Sequence, residues 1–211
     1  MRYELTNETK EIEVYGTTHT LHRIKALKGF ICQGRKVNVG DLGGFVETTS
    51  NLSQAQNDTA WVFDNAFVCD NAKVYSFAKV YGDALVCRDA KVCDNAEVCG
   101  SAEVYDNAEV YGFAKVYGDA LVCGDAEVYD NAKVCGDALV CGDAKVCDKA
   151  KVYGSATVCG NDTVCGSAVI SCPEDIYYDK ANDITYMKGR RGILISNATF
   201  DDFIKTVKAN N

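Results

Sequence analysis

The chain has 211 residues, a formal net charge of −8 and 47% hydrophobic residues. That length is enough for one domain with a sizeable core, and the sequence contains neither a long apolar segment nor a signal-peptide pattern. The acidic charge disfavours direct nucleic-acid binding, which needs a basic surface. We therefore expect a cytoplasmic protein that contacts neither a membrane nor nucleic acid directly.

The N-terminal residues alternate between apolar and polar side chains. This alternation runs through the segments around Ile12 and Leu21, with Gly16 between them. A period of two places apolar side chains on one face of a strand, and a glycine between two such runs favours a turn. We predict an N-terminal β-hairpin cap over residues 1–38.

An irregular coil should follow the cap. Val39 and Phe45 are six residues apart, and the regular repeats begin only at Ala60. We therefore predict that a solenoid spans residues 39–171, with an irregular first coil over 39–59.

A six-residue repeat fills residues 60–171. An alanine position recurs from Ala60 to Ala168, and a valine position follows two residues after each of them. Asp162 and Ile170 are the two departures at these positions. Side chains two apart share one face of a strand, and most units close with Gly, Asp, Asn or Ser, which favour turns. Repetition at a fixed period predicts one unit stacked on copies of itself.

The repeat predicts an all-β solenoid with three strands per coil. Six-residue spacing excludes a helix, because it does not keep one face at 3.6 residues per turn. The nineteen units give roughly six coils of 18 residues, and the spacing of strands in a sheet makes this prism about 30 Å long. The prism also contains the acidic charge, since residues 60–171 hold nine Lys and Arg against seventeen Asp and Glu.

One face of the prism should carry an apolar stripe on its outside. Its outward positions include four large apolar side chains, Phe67, Leu85, Leu121 and Leu139. Exposed apolar patches of this size usually mark contacts. Two interpretations stay open: the C-terminal segment of the chain covers the stripe, or a subunit or partner protein does.

One corner of the prism should carry an acid in each of six coils. The six residues are Asp70, Asp89, Asp106, Asp125, Asp143 and Asp162. Aspartate is common in such turns because its side chain bonds nearby backbone amides. A structural role is the first interpretation, and docking of a basic partner or a cation is the second. Asp162 also occupies an alanine position, so we expect its carboxylate to point inward and to need partners.

The period ends after Cys172 and Pro173, and we predict a C-terminal hairpin-and-helix cap over residues 172–211. Phe200, Phe203, Ile204 and Val207 have helical spacing. Arg190 and Arg191 lie at the tip of the expected hairpin, where they are weak candidates for anion binding.

The cysteines and histidines limit the chemistry. Ten of the twelve cysteines follow a repeat valine, a position that Tyr or Phe fills in most other units, so we interpret them as packing residues in a reducing compartment. The only histidines are His19 and His22, both in the N-terminal hairpin. We regard them as weak candidates for a general base.

The spacing of an aliphatic residue and a small residue four positions on, as from Val62 to Ala66, resembles the hexapeptide-repeat family. This resemblance implies a left-handed parallel β-helix. The run from Gly40 to Glu47, the sequence from Asn51 to Gln54 and the repeats that open at Trp61 are similar to YdcK-type proteins. Such chains are common in bacteria and in phage and prophage genomes, and they are usually called transferases from the fold alone.

The resemblance implies two enzyme types, trimeric acyltransferases that use acyl-coenzyme A and a histidine base, and carbonic anhydrases that bind zinc through three histidines. The second is excluded, because the coils contain no histidine. We therefore predict a non-catalytic, rigid β-helix, without cofactor or metal, that binds or scaffolds a macromolecular partner through its acidic prism. One version of this hypothesis is a phage-encoded rod that imitates the charge of duplex DNA.

Two alternatives stay open. The first is a trimeric acyltransferase that uses acyl-coenzyme A, in which the N-terminal hairpin reaches a neighbouring subunit. The second is a small-ligand binder or sponge with its site in a groove between subunits. The expected partner is another protein or further copies of this chain, with a trimer among the options.

Overall fold

The structure is a computed structural model that describes residues 1–171 and the strands Ile176–Asp179, Ile184–Met187 and Ile193–Ile195. The predicted C-terminal helix, Arg190 and Arg191 lie outside the described residues. Within the described part, the chain is an all-β parallel solenoid of about seven turns, which confirms the predicted fold class.

Two hairpins form the N-terminal part of the chain. Their strands are β1 (Tyr3–Val14), β2 (Thr17–Ala26), β3 (Phe30–Cys32) and β4 (Arg35–Val37). The loop of the first hairpin is Tyr15-Gly16, and both residues have positive φ, 47° and 81°. Positive φ at both residues of a two-residue loop is typical of a type I′ turn, and the twist of this turn matches that of the two paired strands.

Three sheets form the walls of the solenoid, and each contains every third strand of the coils. The first sheet adds to the β1–β2 hairpin the strands β5 (Leu42–Val46), β7 (Phe67–Val68), β10 (Leu85–Val86), β13 (Glu103–Val104), β16 (Leu121–Val122), β19 (Leu139–Val140) and β22 (Thr157–Val158). The second contains β8 (Lys73–Val74), β11 (Lys91–Val92), β14 (Glu109–Val110), β17 (Glu127–Val128), β20 (Lys145–Val146) and β23 (Thr163–Val164). The third contains β6 (Trp61–Val62), β9 (Lys79–Val80), β12 (Glu97–Val98), β15 (Lys115–Gly118), β18 (Lys133–Gly136), β21 (Lys151–Val152) and β24 (Val169–Ile170).

The repeat alanines and valines form the core. Every repeat alanine from Ala60 to Ala168 is fully buried, and the repeat valines from Val62 to Val164 are at most 1% exposed. Strand pairs are parallel and offset by 18 residues, so that each valine lies over a valine in the next coil. The same two side chains in every unit therefore fill the inside of the prism.

The corners need a left-handed backbone once in every unit. Every sixth residue from Asp64 to Gly166 has a positive φ, and these eighteen positions hold ten glycines, six aspartates, Ser76 and Arg88. Glycine adopts this conformation without strain, and aspartate tolerates it better than most residues. The Gly, Asp and Ser residues at these eighteen positions therefore suit the left-handed geometry of the corners.

The N-terminal cap closes the first end of the core. The indole ring of Trp61 is fully buried, and the rings of Phe30 and Tyr3 meet it edge-on with centroids 5.3 Å and 6.0 Å away. The hydroxyl of Tyr3 donates to the carbonyl of Leu52 at 2.8 Å. An open solenoid end exposes apolar core, and these contacts cover it.

At the other end, β25 (Ile176–Asp179), β26 (Ile184–Met187) and β27 (Ile193–Ile195) extend the second sheet. β27 pairs antiparallel with β23. Among the described residues no helical segment has the length and apolarity needed to cross a bilayer.

Candidate binding surfaces of the prism

The apolar stripe lies on the first sheet. Leu85 pairs with Phe67, and Leu121 pairs with Leu139, with Glu103 between the two pairs. All four apolar side chains are half-buried. The sequence therefore predicted the alignment of these residues correctly.

The N-terminal hairpin covers the first half of this stripe. Val14 and Leu21 form one apolar cluster with Cys69 and Cys87, and Phe67 and Leu85 pack against it. The described C-terminal strands belong to the second sheet and join it at β23. The sequence analysis left open two covers for the stripe, the C-terminal segment of the chain or a subunit or partner protein. Neither makes this contact, because the covering segment comes from the N-terminus of the same chain. Leu121 and Leu139 lie further along the sheet, outside this cluster.

Polar and aromatic contacts of Tyr15 hold the hairpin tip against the prism. The hydroxyl of Tyr15 donates to Glu103 Oε2 at 3.1 Å, and its ring lies 5.0 Å from the ring of Tyr105. The guanidinium of Arg88 lies 4.4 Å from the Tyr15 centroid and pairs with Asp106. Arg88 has a φ of 57° at a position otherwise filled by Gly, Asp or Ser. The contacts of Arg88 with Tyr15 and Asp106 offset the backbone strain of a long side chain in this left-handed conformation.

Five of the six predicted corner acids share one corner, between the first and second sheets. Asp70 and Asp106 are at the left-handed position, whereas Asp89, Asp125 and Asp143 are at the position after it. Asp162 differs, because it stands in the alanine position and is half-buried, and its backbone carbonyl accepts from the Lys145 amide at 2.8 Å.

The left-handed aspartates share one hydrogen-bonding pattern. In all six, a carboxylate oxygen accepts from the backbone amide of the residue one coil further on, at 2.8–3.4 Å. In one example, Asp94 accepts from the amide of Gly112, the left-handed residue that occupies the same corner in the next coil. Among the predicted corner acids, Asp70 and Asp106 therefore make the side-chain bonds to backbone amides that a structural role requires.

The flat walls and the corners of the prism carry charges of opposite sign. The outward wall positions of residues 60–171 hold seven lysines and four glutamates, whereas the corners hold twelve aspartates against Arg88 and Lys149. The walls are therefore net positive by three and the corners net negative by ten. The acidic character of the prism lies in ridges that run along its length.

The wall charges form ion pairs one coil apart. Glu97 lies between Lys79, with an N–O distance of 3.4 Å, and Lys115, at 3.0 Å. Partial burial of Glu97 opposes its ionisation, but Lys115 and Lys79 outweigh it, so the pKa of Glu97 lies below its ordinary value. Lys91 with Glu109 and Lys145 with Glu127 form similar pairs.

A shallow groove of about 900 Å3 follows the corner between the first and second sheets. The lining side chains are polar or charged: Ser50, Asn71, Lys73, Asp89, Lys91, Asn107, Asp125, Glu109 and Glu127. Asn71 donates to Asp89 at 3.1 Å and Asn107 donates to Asp125 at 2.8 Å, so the amides hold these carboxylates in a row.

The two histidines have different surroundings. His22 is half-buried, and its Nδ1 lies 3.1 Å from the carbonyl oxygen of Thr6 within the hairpin. His19 is 5% exposed, its Nδ1 lies 3.2 Å from Glu47 Oε1 and its Nε2 lies 3.7 Å from Asp70 Oδ1. No sequence pattern predicts this second arrangement, because His19, Glu47 and Asp70 are far apart along the chain and the repeat includes only Asp70.

The eleven cysteines among the described residues are free thiols. Burial raises the pKa of Cys32 to about 11, and burial together with the neighbouring Cys159 and Cys123 raises that of Cys141 to about 11. Thiols with raised pKa values are poor nucleophiles at neutral pH, which agrees with a packing role for Cys32 and Cys141.

Comparison of the sequence with models of known protein families and with curated proteins finds no match. The solenoid is therefore shown by the structure, and the resemblance to hexapeptide-repeat and YdcK-type proteins stays a prediction.

Proposed function

We propose that the protein is a non-catalytic, rigid β-helical rod that binds a basic protein partner along its acidic corners. The observation that supports this proposal is the separation of charge between walls and corners. Lysines on the walls pair with glutamates one coil away, whereas the corner aspartates form rows. Rows of one sign attract a partner of the opposite sign and fix its orientation.

The rod presents these charges in a fixed arrangement. Coils are joined by backbone hydrogen bonds along every wall, as from Glu103 to Ala120 at 3.0 Å, over a core of alanine and valine. Left-handed aspartates are also held by the next coil. A surface that is already ordered loses little conformational entropy when it binds.

The magnitude of the charge limits the kind of partner. A net charge of −8 on the prism, spread over about 30 Å, is roughly one charge per 4 Å, whereas duplex DNA carries one per about 1.7 Å. The density is less than half that of DNA. We therefore propose a partner with a basic strip or ridge, and we do not extend the proposal to imitation of duplex DNA. A phage or prophage origin rests only on the sequence resemblance.

Two triple variants test the role of the corners. The corner variant combines Asp89→Asn, Asp125→Asn and Asp143→Asn, and none of these residues is at a left-handed position. The wall variant combines Glu103→Gln, Glu109→Gln and Glu127→Gln, which removes the same charge from the adjoining walls. Wild type and both variants are immobilised, proteins from a bacterial extract are eluted with increasing salt, and the Kd of each identified partner is measured.

We expect a basic partner that elutes as salt rises, because exposed charges are screened within about 8–10 Å at such ionic strengths. The corner variant should weaken its binding at least tenfold, and the wall variant less than threefold. Absence of any salt-sensitive partner, or equal weakening by both variants, would contradict the proposal.

Acyl transfer receives no support from the described residues. The coils contain no histidine, and His19, on strand β2 of the hairpin, faces Glu47 and Asp70 of its own chain and is only 5% exposed. A general base must reach the proton of the substrate. Acetyl-coenzyme A at millimolar concentration should therefore leave the melting temperature unchanged, and a monomer in light scattering would also remove the groove between subunits that both alternatives require.

A further inference from the structure

The hairpin brings a histidine onto a cysteine and an aspartate of the first repeat coils. One ligand-type atom from each of His19, Cys69 and Asp70 lies within 4.8 Å of the other two. The Nε2 atom of His19 lies 3.7 Å from Asp70 Oδ1. Cys69 is fully buried and His19 is 5% exposed, so both side chains are held by their surroundings.

Glu47 orients the histidine. Its Oε1 lies 3.2 Å from His19 Nδ1, while its Oε2 accepts from the Asp70 backbone amide at 2.6 Å. A carboxylate on Nδ1 favours a proton there and leaves the Nε2 lone pair, 3.7 Å from Asp70 Oδ1, available to a metal ion. Histidines that bind metals commonly have such a carboxylate partner on the other ring nitrogen.

We infer that His19 Nε2, Cys69 Sγ and Asp70 Oδ1 form a zinc site, with Glu47 as the residue that orients His19. Imidazole, thiolate and carboxylate together suit Zn²⁺, whereas Mg²⁺ and Ca²⁺ prefer oxygen ligands alone. This inference is independent of the proposed binding function.

The geometry requires a small contraction. Bonds of about 2.0–2.3 Å to a tetrahedral zinc place ligand atoms roughly 3.3–3.6 Å apart. The histidine–aspartate distance is already 3.7 Å, and the longest separation allowed by the cluster is 4.8 Å. Movements of about 1 Å in the side-chain ligand atoms would bring them to the distances that zinc requires.

A fourth ligand would reach the ion from the side of Asp70 and Glu47. The side chains of Asp70 and Glu47 are 32% and 28% exposed, and they form the open side of the cluster. Three protein ligands and a water are the arrangement of zinc sites that keep a position for an exogenous ligand. The ion would also join β2 to the solenoid, since His19 belongs to the hairpin and Cys69 to the coil that follows β7.

The test uses the full chain, kept reduced with a phosphine and freed of metal by a chelator. Zn²⁺ is titrated by calorimetry, and Co²⁺ is titrated by absorption, because a cobalt–thiolate bond gives a charge-transfer band and four-coordinate cobalt gives intense visible bands. The variants are Cys69→Ser, His19→Gln and Asp70→Asn, which keep side-chain size and, for Asn, tolerance of the left-handed backbone. Cys141→Ser is the matched control, since it removes another thiol of the same sheet.

We expect one zinc ion per chain at this site and a cobalt–thiolate band that persists in Cys141→Ser. Cys69→Ser and His19→Gln should each weaken the affinity at least 100-fold and abolish the band. Glu47→Gln, which keeps all three ligands, should weaken it 10- to 100-fold. Zinc at 100 times its Kd should also raise the melting temperature of the wild type but not of His19→Gln.

The melting temperature of each variant without metal shows that it is folded. If Cys69→Ser fails to fold, His19→Gln and Asp70→Asn give the same information. Zinc affinity and cobalt spectra that are unchanged in these variants, or a wild type with no cobalt–thiolate band, would overturn the inference.

Discussion

Replacing the left-handed Asp94 by alanine should destabilise the solenoid by more than its exposed position suggests. Asp94 has a φ of 54°, and its Oδ2 accepts from the Gly112 amide at 3.2 Å. Alanine in a left-handed conformation costs about 1–2 kcal/mol, of which aspartate already bears a part. The lost hydrogen bond, exposed to water, adds about 0.5–1 kcal/mol.

The expected change in the free energy of unfolding for Asp94→Ala is therefore a loss of about 1–2 kcal/mol. At 2–4 °C for each kcal/mol in a chain of this size, the melting temperature should fall by about 2–8 °C. Thermal unfolding followed by far-ultraviolet circular dichroism measures this shift.

Asp119→Ala is the matched control. Asp119 is an exposed corner aspartate at the position after a left-handed glycine, so its removal changes the net charge equally without touching a left-handed residue. We expect its effect to stay within about 0.5 kcal/mol. Asp94→Gly should fall between the two, because glycine restores the backbone but not the hydrogen bond. Equal melting temperatures for Asp94→Ala and Asp119→Ala would show that neither the left-handed backbone nor the hydrogen bond to Gly112 stabilises this corner.

Three further predictions concern the hairpin, the core and the wall charges. Arg88→Gly should relieve the backbone strain at the corner but remove the contact that holds Tyr15. Amide hydrogen exchange should become at least tenfold faster in the hairpin tip and stay unchanged in the coils. Exchange in the tip as slow as in the wild type would show that the contact between Arg88 and Tyr15 does not hold the hairpin. Val98→Ala, at a fully buried position, should cost about 2–3 kcal/mol in urea unfolding, and a loss below 1 kcal/mol would mean that the coils close the cavity. Since the pKa of Glu97 is lowered in the folded chain, its contribution to stability is present above the unfolded pKa of about 4.5 and should be lost as pH falls through the folded pKa. Glu97→Gln should therefore flatten the pH dependence of the melting temperature below pH 4.5, and an unchanged slope would show that its ion pairs are not stabilising.

Much of the prism was predictable because each unit depends on local rules. The separation of two residues between alanine and valine predicts a shared inner face, and the six-residue period predicts which outward residues align, as with Leu121 and Leu139. The recurrence of Gly and Asp predicts a corner. The structure adds that the corner requires a left-handed residue in every unit and that Asp94 and its equivalents satisfy the next amide.

The hairpin contacts were not predictable in the same way. Nothing in the period relates His19 to Asp70, or Tyr15 to Arg88, because these pairs join a segment outside the repeat to one inside it. Arg88 was visible as an irregular corner residue, but only its contact with Tyr15 gives it a role.

The strict six-residue period was sufficient to predict the solenoid and its three walls, because it sets the neighbours of every residue within it, and the acidic balance follows from the composition of the repeat. The position of the N-terminal hairpin, and with it the cover over Phe67 and Leu85 and the cluster around His19, is visible only in the folded chain. The hairpin is placed by complementary surfaces that are distant in the chain, and no local pattern encodes such a match.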